Sequence, residues 1–424
     1  MKKVFSLSTT ILFSLLLASQ AQAVVPAIQH FQQPTTISVD PATLPAPFAT
    51  NSSTAFPTII PQPANASFTV PVGFTVNLFA DSTASADVTL VTPRVMLLAP
   101  NGDILLADPG SNTIVVLRDS KKAGSADQAF VFTSDTLAPF GLAFWQDYLY
   151  VGNTDSIVRF KYTVGQTKAA GPPEVIVANL TQKGGGHFTR NIVFSPDQKT
   201  LYIAIGSSGN VLVEADPRRA TVCTCNPDGS NFQIFATGIR NPVGLTINPV
   251  TSAVWVATNE RDSLGDNLVP DYVTSVQQGG FYGWPYTYIG KNPDPRIPQD
   301  RPDLINRAII PDVLLQSHSA PLGILFYGGS SFPAEYQGDA FVTSHGSWNR
   351  LVSTGYKIIR IRFKNGKPVA NQYEDFLTGW LPAPELNQAW GRPVGVTQYW
   401  DGSLLISDDG GRKIWRVSYC GLYC

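Results

Sequence analysis

The sequence predicts an all-β protein, a six-bladed β-propeller whose last blade is completed by a strand from the N-terminal side. Three observations carry this. A short phrase recurs as Pro139-Phe140-Gly141-Leu142, Pro242-Val243-Gly244-Leu245, Pro321-Leu322-Gly323-Ile324 and Pro393-Val394-Gly395-Val396. Two looser copies are Arg94-Val95-Met96-Leu97 and Arg190-Asn191-Ile192-Val193. Each copy leads through a turn into a second apolar strand that ends in a polar loop, over 104–112, 149–156, 201–210, 254–266, 340–349 and 404–412. The copies are also spaced like blades: Leu97, Leu142, Val193 and Leu245 lie 45, 51 and 52 residues apart, then Ile324 and Val396 follow after 79 and 72. Propeller blades repeat at roughly 40–50 residues. A seven-bladed ring or a β-sandwich is the alternative.

The elements follow in chain order. Lys2 and Lys3, an apolar run over 11–18 and Ala21-Gln22-Ala23 make residues 1–23 a signal peptide, so a secreted, extracellular chain is expected. Residues 24–66 form an extension rich in Pro, Ser and Thr. Sequons stand at Asn51, Asn65 and Asn179, each a glycosylation acceptor if the host glycosylates. The stretch 72–80 reads as a strand that closes the ring and removes an exposed edge. Asn101-Gly102, Pro196-Asp197 and Asp401-Gly402 are turns between strands. The long gap over 262–319 holds Pro, Gly and aromatics as a surface excursion would. The propeller domain is thus expected over 67–424. Cys223, Cys225, Cys420 and Cys424 are expected to be structural; four cysteines allow three pairings, and the sequence does not choose among them.

Composition excludes some functions. The 424 residues carry a net charge of −1 and only 14% charged residues, against nucleic-acid binding. No later run is long and apolar enough for a membrane span. A monomer is expected. Yet cations recur at one structural position. The starts of the first strands carry Arg94, His187 with Arg190, Arg240 with Asn241, His318 and Arg392. The loops after the second strands add Glu260, Arg261, His345, Asn349 and Arg350. Such starts converge on one end of a propeller channel, and clustered guanidiniums in a partly dry funnel call for an anion. A polyanionic ligand is therefore expected there.

Five phrases carry a resemblance. They are Gly238-Ile239-Arg240-Asn241-Pro242-Val243-Gly244-Leu245, Gly280-Phe281-Tyr282-Gly283-Trp284-Pro285, His318-Ser319-Ala320-Pro321-Leu322-Gly323, His345-Gly346-Ser347-Trp348-Asn349-Arg350 and Gly391-Arg392-Pro393-Val394-Gly395-Val396. Over about residues 67–419 the chain resembles the soluble pyrroloquinoline-quinone (PQQ) dependent sugar dehydrogenases. The nearest branch is that of sorbosone dehydrogenases and fungal pyranose dehydrogenases, carbohydrate auxiliary-activity family 12.

The resemblance implies a six-bladed propeller that binds PQQ and Ca²⁺. It implies a pyranose dehydrogenase, an oxidoreductase acting at the anomeric carbon of a reducing pyranose or keto-aldose. His187 would be the general base and Arg240 the second catalytic group, beside the developing negative charge. Arg94, His187, Arg240, Asn241, His345, Asn349, Arg350 and Arg392 would bind the cofactor. Glu260 and Arg261 would give backbone carbonyls to the metal. His318, Trp284 and Trp348 would shape the sugar site. Electrons would pass to a separate acceptor, a haem protein or a copper oxygenase. The chain departs from the bacterial glucose dehydrogenase branch at Ser207, where that branch has an Asp that orients the base. The competing readings are a secreted lactonase-type hydrolase and a non-catalytic binding propeller. Fold alone does not separate them.

Overall fold

A computed structural model describes residues 28–181 and 185–421. The leader 1–23 and Cys424 lie outside the described residues. Six antiparallel sheets form the body, five of four strands and one of five. Blade 1 holds Met96–Leu98, Ile104–Asp108, Thr113–Arg118 and Gln128–Thr133. Blade 2 holds Leu142–Trp145, Tyr148–Gly152, Ile157–Lys161 and Glu174–Val177. Blade 3 holds Arg190–Phe194, Leu201–Ile205, Thr221–Cys225 and Gln233–Thr237. Blade 4 holds Pro242–Ile247, Val254–Thr258, Pro270–Ser275 and Val313–Ser317. Blade 5 holds Pro321–Phe326, Ala340–Ser344, Lys357–Ile361 and Tyr373–Leu377. Blade 6 holds Pro393–Gln398, Leu404–Asp408 and Lys413–Tyr419, with Phe74–Ala80 as its fourth strand.

The first strands touch one another in order around the ring, and blade 6 returns to blade 1. The closing strand runs antiparallel to Lys413–Tyr419, with Phe74 opposite Tyr419 and Ala80 opposite Ile414. Second strands such as Ile104–Asp108 and Leu404–Asp408 are buried at every residue, because each blade is covered on both faces by its neighbours.

The recurring phrase has a steric cause. A Cβ on Gly395 would lie 2.4 Å from the Arg94 carbonyl oxygen of the next blade, and one on Gly323 would lie 2.6 Å from that of Val394. Only glycine allows inner strands to approach this closely. The residue before each glycine does the complementary job. Phe140, Val243, Leu322 and Val394 meet in one apolar cluster that plugs the ring, and Val243 and Leu322 also line the cavity above it.

One expectation changes. The excursion over 262–319 is not a surface loop throughout. It supplies two blade-4 strands, and Phe281, Tyr282, Trp284, Tyr286 and Tyr288 are buried because their large apolar area packs against the blade. The extension over 24–66, of whose contacts the sequence said nothing, pairs with the propeller. Ile28–Phe31 pairs with Ser67–Val70, Thr36–Ile37 adds a fifth strand to blade 5, and Thr58–Ile59 pairs with Gln388–Ala389.

Cys223 and Cys225 are unpaired and buried in an apolar cluster with Leu201, Ile203 and Tyr150. Burial pushes their thiols up to about 11 and about 12, so both behave as small apolar side chains. Cys420 is disulfide-bonded. Asn51, Asn65 and Asn179 are exposed. Among the described residues no helix is long and apolar enough to cross a membrane.

Candidate active site

The loops that enter the first strands enclose a cavity of about 330 Å³. Its walls bring together Arg94, His187, Arg240, Asn241, Glu260, His318, His345, Trp348 and Arg392, all expected from the sequence. Seven separate loops, five entering first strands and two leaving second strands, thus deliver these groups to one place.

His187 is held by its backbone. Its Nδ1 lies 3.0 Å from the Ser207 carbonyl oxygen and 3.1 Å from Ser207 Oγ, which itself donates to the Gly209 carbonyl. A carbonyl only accepts, so Nδ1 carries the proton and Nε2 is the basic nitrogen. Nε2 has no hydrogen-bond partner among the described residues. The Ser207 carbonyl therefore does the orienting that the resemblance assigns to an Asp. Gly206 makes the fit possible, since a Cβ there would meet Asn241 Oδ1 at 2.4 Å and His187 Cβ at 2.6 Å. Burial and the nearby Arg240 charge pull His187 down to about 3, so its imidazole is neutral at working pH.

The arginines do not form a bare cationic funnel. Asp409 takes Arg94 Nη2 at 2.8 Å and His345 Nε2 at 2.9 Å. Asp262 takes Arg240 Nη2 at 3.2 Å and faces His318 Nδ1 at 3.4 Å. Charges buried together need such partners. Arg240 is fully engaged: it also donates to the Glu260 carbonyl at 2.7 Å, the Asn210 carbonyl at 3.1 Å, Asn210 Oδ1 at 3.0 Å and the Asn259 carbonyl at 3.4 Å. It offers a ligand its charge and no spare N–H. Arg392 differs. It donates only to the carbonyls of His345 at 3.2 Å and Gly346 at 3.1 Å, with no carboxylate in salt-bridge reach among the described residues. Asp408 pins its backbone N–H at 2.7 Å while also accepting from Trp380 and Trp415.

Other expected residues lie elsewhere. Asn349 and Arg350 are not in the cavity wall. Asn349 bonds the Ser263 N–H and the Ser53 carbonyl, and Arg350 donates to the carbonyls of Asp266 and Val352, because the chain turns outward after Trp348. Arg261, expected for its backbone carbonyl, is not in the cavity wall, and its guanidinium turns to Glu260 at 2.9 Å and Asp294 at 3.2 Å. Trp284 lies outside the lining, its Nε1 donating to the Asn210 carbonyl and so supporting Arg240 from behind. Arg190, also expected at the channel, instead grips the carbonyls of His187 and Thr189.

Sequence reasoning missed the carboxylates Asp262, Asp271 and Asp409, the clamp Arg219 on the carbonyls of His187 and Gly206, and the aromatic wall Phe188. Asp271 accepts the Glu260 and Ala320 N–H groups, and burial pushes its carboxyl up to about 7. The Asp408-Asp409 pair, at the same loop position as the cations, was the available signal.

Two observations mark a place for an acceptor-rich anion: Arg94 Nε is buried without a partner, and Arg392 lacks a counter-ion. The buried, unpartnered Asn241 Oδ1 asks instead for a donor from the ligand. PQQ, a tricarboxylate, fits this set. Calcium would find fewer ligands here. The Glu260 carbonyl keeps one lone pair beside Arg240, and among the described residues no group of three His, Cys, Asp or Glu could hold a metal. Calcium takes 6–8 oxygens, so most would come from a bound cofactor and water.

The fold and site can be set beside known proteins. The chain is 30% identical over 381 residues to an uncharacterized protein of Borreliella burgdorferi, covering 85% of this chain and 93% of that one. It is 23% identical over 389 residues to a pyrroloquinoline quinone-dependent sugar dehydrogenase of Hypocrea jecorina, covering 77% and 85%. The holo form of the pyranose dehydrogenase PQQ domain from Coprinopsis cinerea superposes with a TM-score of 0.68 at 20% identity, covering 86% of this chain and all of that one. The TrAA12-like family model matches residues 73–288 and 303–419, all six blades with the closing strand, and this chain belongs to that family.

Proposed function

We propose that the protein is a secreted, PQQ-dependent dehydrogenase of reducing sugars that passes its electrons to a separate acceptor. The observation that carries this is the His187 imidazole. Its proton is fixed on Nδ1 and its basic Nε2 is unengaged, in a cavity whose other walls are Arg94, Arg240 and Arg392. The name of the Hypocrea jecorina relative supports the same reading.

When bound, PQQ supplies a two-electron acceptor for the hydride that leaves the anomeric carbon. The chain does the rest. His187 Nε2 takes the proton from the anomeric hydroxyl, and the Ser207 carbonyl stabilises the charged ring through Nδ1–H. Arg190 and Arg219 hold the His187 carbonyl, which keeps the ring aimed. Arg392 and Arg94 receive the cofactor's carboxylates, with Asn241 and His345 beside them. Arg240 supplies a fixed positive charge where negative charge develops, in a site drier than water. The Glu260 carbonyl would hold calcium together with the cofactor. His318 shapes the place of the reacting sugar, and Trp348 stands in the outer wall.

A hydrolase would need carboxylates aimed at a metal. Here Asp262 serves Arg240 and His318, Asp271 serves two backbone N–H groups, and Glu260 serves Arg261. The test is reconstitution of purified protein with PQQ and Ca²⁺, followed by a panel of reducing sugars and an artificial dye. Sugar-dependent dye reduction that needs PQQ is the expected result. A PQQ-loaded protein that reduces no dye with any sugar overturns the reading.

A further inference from the structure

The residues misplaced by sequence reasoning have a job of their own: they hold the N-terminal extension against the active site. Asn349 Nδ2 donates to the Ser53 carbonyl at 2.7 Å, and the Ala55 N–H donates to the Trp348 carbonyl at 2.7 Å. The Asp266 carboxylate clamps both sides, taking the Ser53 N–H at 2.9 Å and the Leu351 N–H at 2.9 Å. Arg350 Nη1 secures the Asp266 carbonyl at 2.9 Å.

This strap ends on an aromatic ring. Phe56 stacks on Trp348 with ring centroids 5.1 Å apart and planes within 6°. Phe56 is 68% exposed, an unusual place for a large apolar ring that nothing else covers. It covers one face of the indole. Trp348 is still 36% exposed, and it lines the cavity with the surface that remains. Phe188, 44% exposed, is the other aromatic group of the lining.

A cavity of about 330 Å³ is at the small end of ligand pockets, roughly 300–1,000 Å³. Such a volume is small for a cofactor together with more than one sugar ring. A further ring linked to the one at His187 must lie at the exposed edge, where an indole offers a flat face to sugar C–H groups. We propose that Phe56 is a positioning residue that sets Trp348 as a platform for a second sugar ring, so that reducing oligosaccharides are the substrate class. The inference rests on the sugar dehydrogenase reading, and it assigns the extension a part in specificity.

The test uses the full chain as wild type, Phe56→Ala and Phe56→Tyr, with glucose, cellobiose and maltose as probes. In calorimetric titration of cofactor-free protein, wild type binds the better disaccharide more tightly than glucose. Phe56→Ala loses roughly three- to tenfold of disaccharide affinity, the size of one aromatic contact, while glucose is unchanged. Phe56→Tyr restores it. In PQQ-loaded protein the disaccharide KM rises by the same factor, with kcat and the glucose kcat/KM held. Equal shifts for glucose and disaccharide, no shift for either, or a wild type without disaccharide preference overturns the platform. Failure of every sugar to reduce dye overturns the redox reading instead, and the titration still decides the platform.

Discussion

His187 shows how much rests on a single tautomer. Its orienting partner is a backbone carbonyl, so the Ser207 side chain should be dispensable where the imidazole is not. Ser207→Ala is expected to keep kcat within about tenfold of wild type, whereas His187→Ala should lose the general-base factor of roughly 10²–10⁴, read by steady-state dye reduction. Protonation gives an independent check. His187 is held far below the usual imidazole range by burial and Arg240. His318 is raised, because Asp262 and Asp271 outweigh the burial that opposes its charge. NMR of cofactor-free protein should therefore show the His187 ring neutral and unchanging from pH 5 to 8. The His318 ring should gain its proton above pH 6.5 as pH falls. The sign follows for stability: unfolding frees His187 to bind a proton below its ordinary pKa, so His187 subtracts stability as pH drops below about 6.5. The cations at the strand starts were legible in the sequence. Their pairing with carboxylates was not: Asp408-Asp409 stands in the sequence as a signal, but Arg94 and Asp409 meet only when blade 6 closes on blade 1. Asn349 and Arg350 misled because they share a phrase with His345, yet the chain reverses between them.

Two devices recur at the junctions between blades. One is the glycine of the recurring phrase, which lets inner strands touch. The other is a polar side chain reaching across to the neighbour's backbone: Ser407 Oγ to the Arg94 carbonyl at 2.6 Å, Thr343 Oγ1 to that of Val394 at 2.5 Å, and Asn259 Nδ2 to that of Pro321 at 2.6 Å. Because the glycine role is steric, Gly395→Ala should cost about 1–3 kcal/mol, as overpacking does. Chemical denaturation should show it as a lower midpoint. A midpoint equal to wild type would mean that the inner strands have slack. The phrase was readable from sequence because its period survives insertions. The strap over 48–56 was not, since a Pro, Ser and Thr-rich stretch has no periodicity and is placed by single hydrogen bonds such as Phe48 N–H to the Leu264 carbonyl.

Closure dominates at the scale of the whole ring. The strand Phe74–Ala80 is far in sequence from its partner Lys413–Tyr419, so the ends of the chain lock each other. Removing residues 1–80 should leave blade 6 with an open edge and Trp415, Val417 and Ile414 uncovered, giving aggregated protein in size-exclusion chromatography. Removing residues 1–57 should leave a soluble ring that still binds PQQ. Ring order and closing strand were both legible, since each needs only counting and strand pattern. The anion-binding character of the centre was legible as a habit of placement, but its internal neutralisation emerges only with the closed ring.

That centre carries the account, and equilibrium titration of PQQ into purified cofactor-free protein tests it most directly. One equivalent should bind per chain, with affinity falling as salt rises and at least tenfold weaker in Arg392→Ala, the loss expected for a half-buried cation without a counter-ion that faces a carboxylate. No saturable binding, or the same affinity in Arg392→Ala as in wild type, would contradict it.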